Sequence, residues 1–379
     1  MSEEEEEPTV VVIDNGTGSC KAGIAGDDLP KFEFPSYIGT PRHKNFLKEL
    51  GSNKDTFIGD EAQTKRSMLS LKYPIEHGIV TDWDAMEKIW HYALHDKLKV
   101  NTEETPVLMT EAPFNPKANK EKMAQILFET FNVPSMYIGI QAHLSFYCLG
   151  KTSGVICECG DGVLQVMPIF EGHSFPHSIQ RVDMAGRDLT NYLSKMLTER
   201  GYSFATTAER EIVREMKEEL CYVAEDFEVD MATRSSVEED YTLPDGQTVT
   251  LGNERFRCAE ALFKPSLLET MHPNTPGIHE CLYNCLQKCD IDTRSDLYCQ
   301  LILTGGSTLL PGIQERMQKE MEMLLSTTKR VRVLATPERE YAAWIGGSIL
   351  GSLTLFEKAR TNKEAYEEFG PGILHLKTY

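Results

Sequence analysis

The sequence predicts an α/β protein made of two similar halves with a ligand cleft between them. A strand hairpin with a glycine-rich turn opens the chain near residue 10, further strands and helices follow, and the same order begins again near residue 154. An acidic residue leads each hairpin turn, and a third glycine loop follows an apolar run after residue 300. With 379 residues and 41% apolar content, the chain is long enough for two domains with full cores.

The glycine loops indicate phosphate binding. The first turn spans residues 14–18 and the second spans 158–162, each after an apolar or β-branched run. Glycine suits these turns because a side chain would keep phosphate oxygens away from backbone N–H groups. Either turn alone is weak evidence, since Asn-Gly and Asp-Gly are common hairpin turns. The third loop, at 303–312, can bring backbone against a purine or ribose, and the three together predict a nucleotide triphosphate site.

The remaining elements follow from periodicity and capping. Residues 1–8 are a charge run, and strands are predicted from there to about Gly39. Residues 41–56 are polar and turn-rich, which predicts an exposed loop with an apolar tip at Phe46, Leu47 and Leu50. Three helices are then predicted. The first runs from Asp82, as its N-cap, to Leu98, the second spans 118–131, and the third runs from after Ile138 to about Leu149. A second strand cluster is predicted over 155–175.

Net charge and apolar runs restrict the partners. The formal net charge is −19, which argues against nucleic acid and anionic membranes and favours partners with basic surfaces, for example at the acidic N-terminus. Residues 3–7 are all glutamate, the opposite of a basic signal-peptide region. Since no apolar run approaches the ~20 residues of a membrane span, the prediction is a cytoplasmic protein, with a nuclear pool allowed.

The ten cysteines are predicted to be reduced thiols. Cys281, Cys285 and Cys289 recur every fourth residue and would lie on one helical face. Two interpretations remain open, a metal site and a buried thiol stripe; the second is favoured because no matching His or Cys cluster accompanies them. Cys157 and Cys159 alternate along a strand end and form no Cys-x-x-Cys motif.

Five separated segments resemble the actin family. They occur in order, and the similarity covers the chain from about residue 9 to the last residue with few length changes. The segments are 14–23 (DNGTGSCKAG), 72–78 (KYPIEHG), 110–113 (TEAP), 115–119 (NPKAN) and 344–350 (WIGGSIL). The resemblance is to a divergent actin or an actin-related protein of conventional length.

This resemblance implies the fold shared by actin, heat-shock ATPases and hexokinase, with two ribonuclease-H-like domains and four subdomains. The first, outer domain would take residues 1–148 and 342–379, with a small subdomain inserted at 36–73. The second, inner domain would take residues 149–341, with an insertion at 185–274.

The resemblance also implies ATP or ADP with Mg²⁺ or Ca²⁺ in the cleft. Acidic residues beside an anionic nucleotide need a cation between them, so Asp14, Glu158 and Asp161 would hold the metal mainly through waters. Lys21 would reach the β- and γ-phosphates, although an ordinary surface lysine is the alternative. The residues implied for the nucleotide are Gly16, Thr17, Gly18, Lys21, Gly160, Asp161, Gly162, Val163, Gly186, Arg214, Lys217, Glu218, Gly305, Gly306, Ser307 and Leu309.

At the base end this chain departs from the family in two places. Leu310 stands where the family usually has tyrosine, and Glu340 stands where it has lysine. We therefore expect nucleotide binding to persist but to weaken. Without the resemblance, residues 210–218 would be interpreted as a solvated charged helix face. Spacing alone does not choose between this interpretation and a helix face that contacts the base.

The family's hydrolytic positions are also changed. The resemblance implies that Gln141 and Gln165 orient the attacking water beside Asp14 and Glu158. Gln165 stands where actins have histidine, and glutamine cannot accept a proton near neutral pH. Glu158 replaces the usual aspartate and is one methylene longer. We therefore predict a weak or slowed ATPase coupled to assembly.

The implied assembly is a head-to-tail filament of the cytoskeleton. The loop tip at Phe46, Leu47 and Leu50 would enter a neighbour's cleft around Tyr147, Ile349, Leu353 and Leu355. Actin-binding proteins would use the same cleft between the large subdomains.

Two other functional classes compete with a filament protein. One is a non-polymerising subunit that uses ATP structurally inside a larger complex. The other is a sugar kinase or a heat-shock ATPase of the same superfamily. It is disfavoured because no substrate-specific base and no peptide-binding domain after the ATPase are found.

Overall fold

The computed structural model describes residues 9–43, 54–233, 238–325 and 330–377. Its architecture is mixed α/β, as predicted, with two large sheets of six strands each. The strands are β1 (Val11–Asn15), β2 (Ser19–Ile24), β3 (Phe32–Pro35), β4 (Ile38–Pro41), β5 (Phe57–Ile58), β6 (Leu69–Lys72), β7 (Ile75–Glu76), β8 (Ile79–Val80), β9 (Val107–Glu111), β10 (Ser135–Ile140), β11 (Gly154–Cys159), β12 (Leu164–Phe170), β13 (His173–Ser174), β14 (Gln180–Val182), β15 (Glu239–Thr242), β16 (Thr248–Leu251), β17 (Leu301–Thr304), β18 (Val333–Ala335) and β19 (Thr361–Asn362).

Helices pack against both large sheets and connect their strands. In chain order they are α1 (Gly59–Thr64), α2 (Trp83–His91), α3 (Lys117–Gln125), α4 (Gln141–Cys148), α5 (Gly186–Glu199), α6 (Thr207–Leu220), α7 (Phe227–Thr233), α8 (Glu254–Glu260), α9 (Ile278–Lys288), α10 (Ile291–Leu297), α11 (Ile313–Leu325), α12 (Ala342–Gly351), α13 (Phe356–Ala359), α14 (Lys363–Phe369) and α15 (Leu374–Lys377).

The two large sheets repeat one arrangement of strands. In the first, ordered β19-β10-β9-β1-β2-β3, the β1–β2 hairpin is antiparallel and β9 runs parallel to β1. In the second, ordered β13-β12-β11-β17-β18 with β14 also on β12, the β11–β12 hairpin is antiparallel and β17 runs parallel to β11. Each predicted glycine turn is therefore the tip of a hairpin at the centre of its sheet.

Each large sheet has its own apolar core. Around the first sheet, buried side chains such as Ile13, Met86 and Trp90 form one cluster. Around the second, Val155, Leu189 and others form a second cluster. Burial of this apolar area is the main force that holds each sheet to its helices.

Helices α4 and α12 pack closely against one another beside these sheets. At Gly346 a Cβ atom would lie 1.7 Å from the carbonyl oxygen of Leu144, so only glycine permits this approach. The first turn of α12 contains a buried aromatic residue. Trp344 is fully buried and donates its indole N–H to the carbonyl oxygen of Val12 at 3.1 Å, which accounts for an apolar sequence at 344–350.

Most of the predicted elements are confirmed. Asp82 caps α2 by accepting from the N–H of Ala85 at 3.1 Å, and the helix continues to Leu98 with wider, π-type turns. The helix predicted over 118–131 is α3, continued by π-type turns to Thr130. The third helix begins at Gln141, later than predicted, because β10 pairs with β9 as far as Ile140.

The cysteine stripe is buried. Cys281 and Cys285 lie inside α9 and Cys289 directly follows it. All ten cysteines fall within the described residues and are free thiols. No group of three or more potential metal ligands occurs in the described parts of the chain, so the stripe packs as core. The predicted loop tip at Phe46, Leu47 and Leu50 lies outside the described residues.

Candidate functional site

A cleft of about 1050 Å³ lies where the tips of the two central hairpins meet. It joins the three glycine loops predicted from the sequence and one face of α6. Nearly all the residues predicted for the nucleotide, the metal and hydrolysis line it: Asp14, Gly16, Thr17, Gly18, Lys21, Gln141, Glu158, Gly160, Asp161, Gly162, Val163, Gln165, Arg214, Lys217, Glu218, Gly305, Gly306, Ser307 and Leu309. Gly186 lies directly behind this wall, where a Cβ would be 2.5 Å from the hydroxyl oxygen of Ser307.

The two hairpin turns touch one another. A Cβ on Gly18 would lie 2.9 Å from the Cβ of Asp161, and a Cβ on Gly162 would lie 2.7 Å from the hydroxyl oxygen of Thr17. These glycines therefore let each turn pack against a side chain of the other turn. Because backbone N–H groups at glycine turns can bind anions, the arrangement suits a chain of phosphates.

The third loop needs glycine for a different reason. Gly305 has a φ of 87° and its Cβ would lie 2.4 Å from the carbonyl oxygen of Cys159, so another residue would be strained and would clash. Its neighbour Gly306 has no atom within 4 Å of a Cβ position, so that glycine faces open space in the cleft. Ser307 then fixes the loop to the second hairpin by donating to the carbonyl oxygen of Gly160 at 2.6 Å.

Each leading carboxylate is held by an amide side chain. Asp14 accepts from Thr110 Oγ1 at 2.6 Å and from Gln141 Nε2 at 2.8 Å. Glu158 accepts from Gln165 Nε2 at 2.8 Å, and the two residues face each other across the β11–β12 hairpin. Gln141 and Gln165 thus both lie beside the carboxylates that lead the two hairpin turns.

The end of the cleft at the two hairpin turns, which is the predicted phosphate end, has an excess of negative charge. Burial, together with the nearby Asp14, raises the pKa of Glu158 from 4.5 to about 8, whereas Gln165 and Lys21 act in the opposite direction. Lys21 faces Asp14 across the first hairpin, and its ammonium lies 3.3 Å from Ser19 Oγ and 3.8 Å from Glu33. Two adjacent buried carboxylates with so little positive charge nearby fit a divalent cation.

This charge excess makes the stability of the nucleotide-free protein depend on pH. The Glu158 carboxyl stays protonated in the folded protein at pH values where the unfolded chain has already lost the proton, since its pKa rises from 4.5 to about 8. We therefore predict that the free energy of unfolding falls as the pH rises through this interval.

Urea unfolding at a series of pH values from 5 to 9 measures this dependence. Glu158→Gln should flatten the curve relative to wild type, whereas the exposed Glu104→Gln should leave it unchanged; parallel curves for all three proteins would contradict the prediction.

Asp161 has a protein partner that the sequence did not predict. Its carboxylate accepts from Arg187 at 2.9 Å, and the guanidinium of Arg187 stacks over the ring of Tyr73 at 4.3 Å. Arg187 also donates to the carbonyl oxygen of Thr17 at 3.0 Å. Asp161 is consequently less available to a cation than Asp14 and Glu158 are, and it connects the two hairpin turns instead.

The charged face of α6 turns toward the cleft and is not simply solvated. Glu211 and Lys217 are buried. Lys217 donates to the carbonyl oxygen of Gly186 at 2.8 Å, and Arg214 is bonded between Glu211 and Glu218 at 2.9 and 2.8 Å. These contacts fix the positions of the predicted base-contacting residues before any ligand enters.

The two positions that depart from the family also lie on the cleft wall. Leu310 is buried, while Leu309 remains 37% exposed beside it. Glu340 lines the same wall, and burial together with the nearby Glu33 raises its pKa. The base end is therefore apolar on one side and acidic on the other.

Two contacts that join α6 to residues 66 and 73 were not predicted from the sequence. Arg66 forms a two-pronged ion pair with Glu215 of α6 at 2.5 and 3.0 Å. The Tyr73 hydroxyl donates to Glu211, also of α6. These partners lie far apart in the chain, so no local pattern could have indicated them.

Residues 5–379 match the family model described as Actin. The chain belongs to the actin family. Members of this family generally bind an adenine nucleotide with a divalent cation and are typically ATPases, so the protein is an actin-like, ATP-binding protein. The convergence of the glycine loops and carboxylates on one cleft is the arrangement that such binding needs. Within the described residues, every helix is too short or too polar to span a bilayer.

Membership of this family gives the contact between Arg66 and Glu215 a predicted consequence for nucleotide exchange. Glu215→Gln removes the charge that Arg66 pairs with, and a partly exposed ion pair of this kind contributes about 0.5–1 kcal/mol. We predict roughly two- to fivefold faster release of a fluorescent ATP analogue. Glu219→Gln, on the same helix but exposed, is the matched control. Equal acceleration by both variants would mean that the net charge of α6, not this contact, governs release of the analogue.

Proposed function

We propose that the protein binds Mg-ATP in the cleft, assembles head to tail into filaments, and hydrolyses ATP slowly once assembled. The observation that carries the proposal is the convergence of three glycine loops with Asp14, Glu158 and Lys21 on one cavity. Membership of the actin family supports it, since the family usually forms cytoskeletal structures. The division into domains at residues 148–149 and 341–342, with insertions at 36–73 and 185–274, is part of the same proposal.

The residues present fit a metal-bound nucleotide. Asp14 and Glu158 would hold the cation, Mg²⁺ or Ca²⁺, mainly through its waters, and Lys21 would contact the β- and γ-phosphates. When bound, the cation supplies positive charge that offsets the carboxylates and the phosphates. The base and ribose would lie between Gly306, Leu309 and the face of α6.

The slow hydrolysis follows from the chemistry of the two glutamines. Gln141 and Gln165 orient water through their amide groups, but neither accepts its proton near neutral pH. The amide nitrogen of each is already bonded to a carboxylate, while Gln165 Oε1 is buried with no described partner. In this proposal, that oxygen accepts from a water beside the γ-phosphate. Orientation without proton transfer gives a modest rate enhancement.

The proposed filament contact uses an exposed apolar patch. Tyr147, Ile349, Leu353 and Leu355 are 42, 37, 45 and 58% exposed, which is unusual for neighbouring large apolar residues. The apolar loop tip of a second copy would cover them.

A pelleting assay tests the proposed assembly. Replacement of Phe46, Leu47 and Leu50 by serine should abolish sedimentation in Mg²⁺, ATP and polymerising salt while ATP binding persists. Serine at three polar positions of the same segment, Lys44, Lys48 and Glu49, is the control and should still sediment. Unchanged sedimentation of the first variant would contradict the proposed contact.

The second candidate is a subunit that binds ATP structurally within a larger complex. The Glu158 and Gln165 replacements favour it, because they affect hydrolysis more than nucleotide binding. A wild-type protein that binds Mg-ATP but never sediments at any concentration would support this candidate over the filament.

A further inference from the structure

A row of three buried polar residues crosses the second sheet at the phosphate end. Glu158 faces Gln165 on one neighbouring strand and Thr304 on the other. Residues in register on adjacent strands project to the same face of the sheet, so the three side chains lie side by side. Gln165 bonds one carboxylate oxygen of Glu158, Oε2, which leaves Oε1 on the carboxylate for another donor.

The first sheet contains the equivalent row, fully bonded. Asp14 faces Lys21 across its hairpin, as Glu158 faces Gln165. On the parallel strand β9, Thr110 follows Met109, which pairs with Ile13, so Thr110 lies beside Asp14 as Thr304 lies beside Glu158. Its hydroxyl donates to Asp14 at 2.6 Å and accepts from the backbone N–H of Asn15 at 2.9 Å. A threonine beside a cleft carboxylate is therefore a working part of one half of the site.

Thr304 has the same placement without the bonds. It is 1% exposed, and its hydroxyl oxygen has no hydrogen-bond partner among the described residues. A buried hydroxyl without a partner costs free energy, and a ligand-bound state in which it donates to Glu158 recovers that cost. Its neighbour in the row, Gln165, has an unpartnered buried oxygen as well. Two unpartnered polar atoms thus flank Glu158 on either side.

We infer that Thr304 is a positioning residue for the metal-nucleotide. Its hydroxyl donates to the Glu158 carboxylate when the cleft is loaded, as Thr110 does to Asp14, and fixes the orientation in which Glu158 faces the metal-bound waters. The longer glutamate side chain has one more rotatable bond than aspartate, so it needs this second point of attachment. The inference rests on the proposed binding of Mg-ATP.

The test is a Mg²⁺ titration of thermal stability at fixed ATP. Thr304→Val keeps the shape and removes the hydroxyl, and we expect it to raise the Mg²⁺ concentration at half-maximal stabilisation roughly 10- to 100-fold. Thr304→Ser restores the hydroxyl and should return the midpoint to within about threefold of wild type. The melting temperature without nucleotide should not fall in Thr304→Val, because no protein bond is lost. If Thr304→Val does not fold, Thr304→Ala replaces it in the Mg²⁺ titration.

Ser145→Ala is the matched control, since Ser145 is fully buried with an unpartnered hydroxyl but lies on α4, outside the row that contains Glu158. It should leave the Mg²⁺ midpoint unchanged. If the Mg²⁺ midpoint of Thr304→Val equals that of wild type, or if Thr304→Ser does not restore the wild-type midpoint, this inference alone is overturned. A wild-type protein that ATP and Mg²⁺ do not stabilise overturns the proposed function as well.

Discussion

Mg-ATP should raise the melting temperature of the wild-type protein, and Lys21→Ala should remove most of that rise. A ligand that binds only the folded state adds about 2.7 kcal/mol at ~100 times its dissociation constant. Lys21 faces Asp14 at the phosphate end of the cleft, and a hydrogen bond to a charged group contributes about 1.5–3 kcal/mol. The measurement is a thermal melt with and without Mg-ATP. Lys288→Ala, at an exposed position outside the cleft lining, is the control.

A steric variant tests the same site without altering charge. Gly306→Val adds a side chain where no protein atom lies within 4 Å, so the nucleotide-free protein should melt as wild type does. The added side chain occupies cleft space, so the stabilisation by Mg-ATP should fall sharply. A full ATP-dependent rise in both Lys21→Ala and Gly306→Val would place the nucleotide elsewhere.

The double replacement Glu158→Asp with Gln165→His should raise the rate of phosphate release at least severalfold. The two residues are bonded at 2.8 Å, so shortening the carboxylate and exchanging the amide belong together. If the histidine accepts a proton in the transition state, a positioned acid–base group contributes ~10²–10⁴-fold. If it only orients water, the gain is far smaller, because glutamine orients water too.

Phosphate release should be measured on assembled protein, with equal filament mass in each sample. The single replacement Gln165→His separates the contribution of the imidazole from that of the carboxylate position. An unchanged rate in the double variant, with equal assembly, contradicts the assignment of slow hydrolysis to these two residues.

Local patterns predicted the parts of the site that lie within one hairpin or loop. The turns at 14–18 and 158–162 and the cap at Asp82 depend on neighbouring residues, and the structure has them as predicted. The start of α4 was placed too early, because the pairing of β10 with β9 decides where that strand ends. Local sequence contains no information about such a partner strand.

Contacts between distant segments were not predictable in this way. Arg187 holds Asp161 and Arg66 holds Glu215, yet both arginines look like ordinary surface residues in the sequence. The importance of Thr304 depends on its register with Glu158, which only the sheet reveals. Lys217 is similar, since the helical pattern alone fits a solvated face whereas the side chain is buried against Gly186.

Negative-stain microscopy of purified protein tests most directly whether ATP in the cleft drives assembly. The account predicts filaments when Mg²⁺ and ATP are both present, and single particles for Asp14→Ala under the same conditions. Wild-type protein that remains as single particles at every concentration, while Mg-ATP still raises its melting temperature, would contradict the proposed filament.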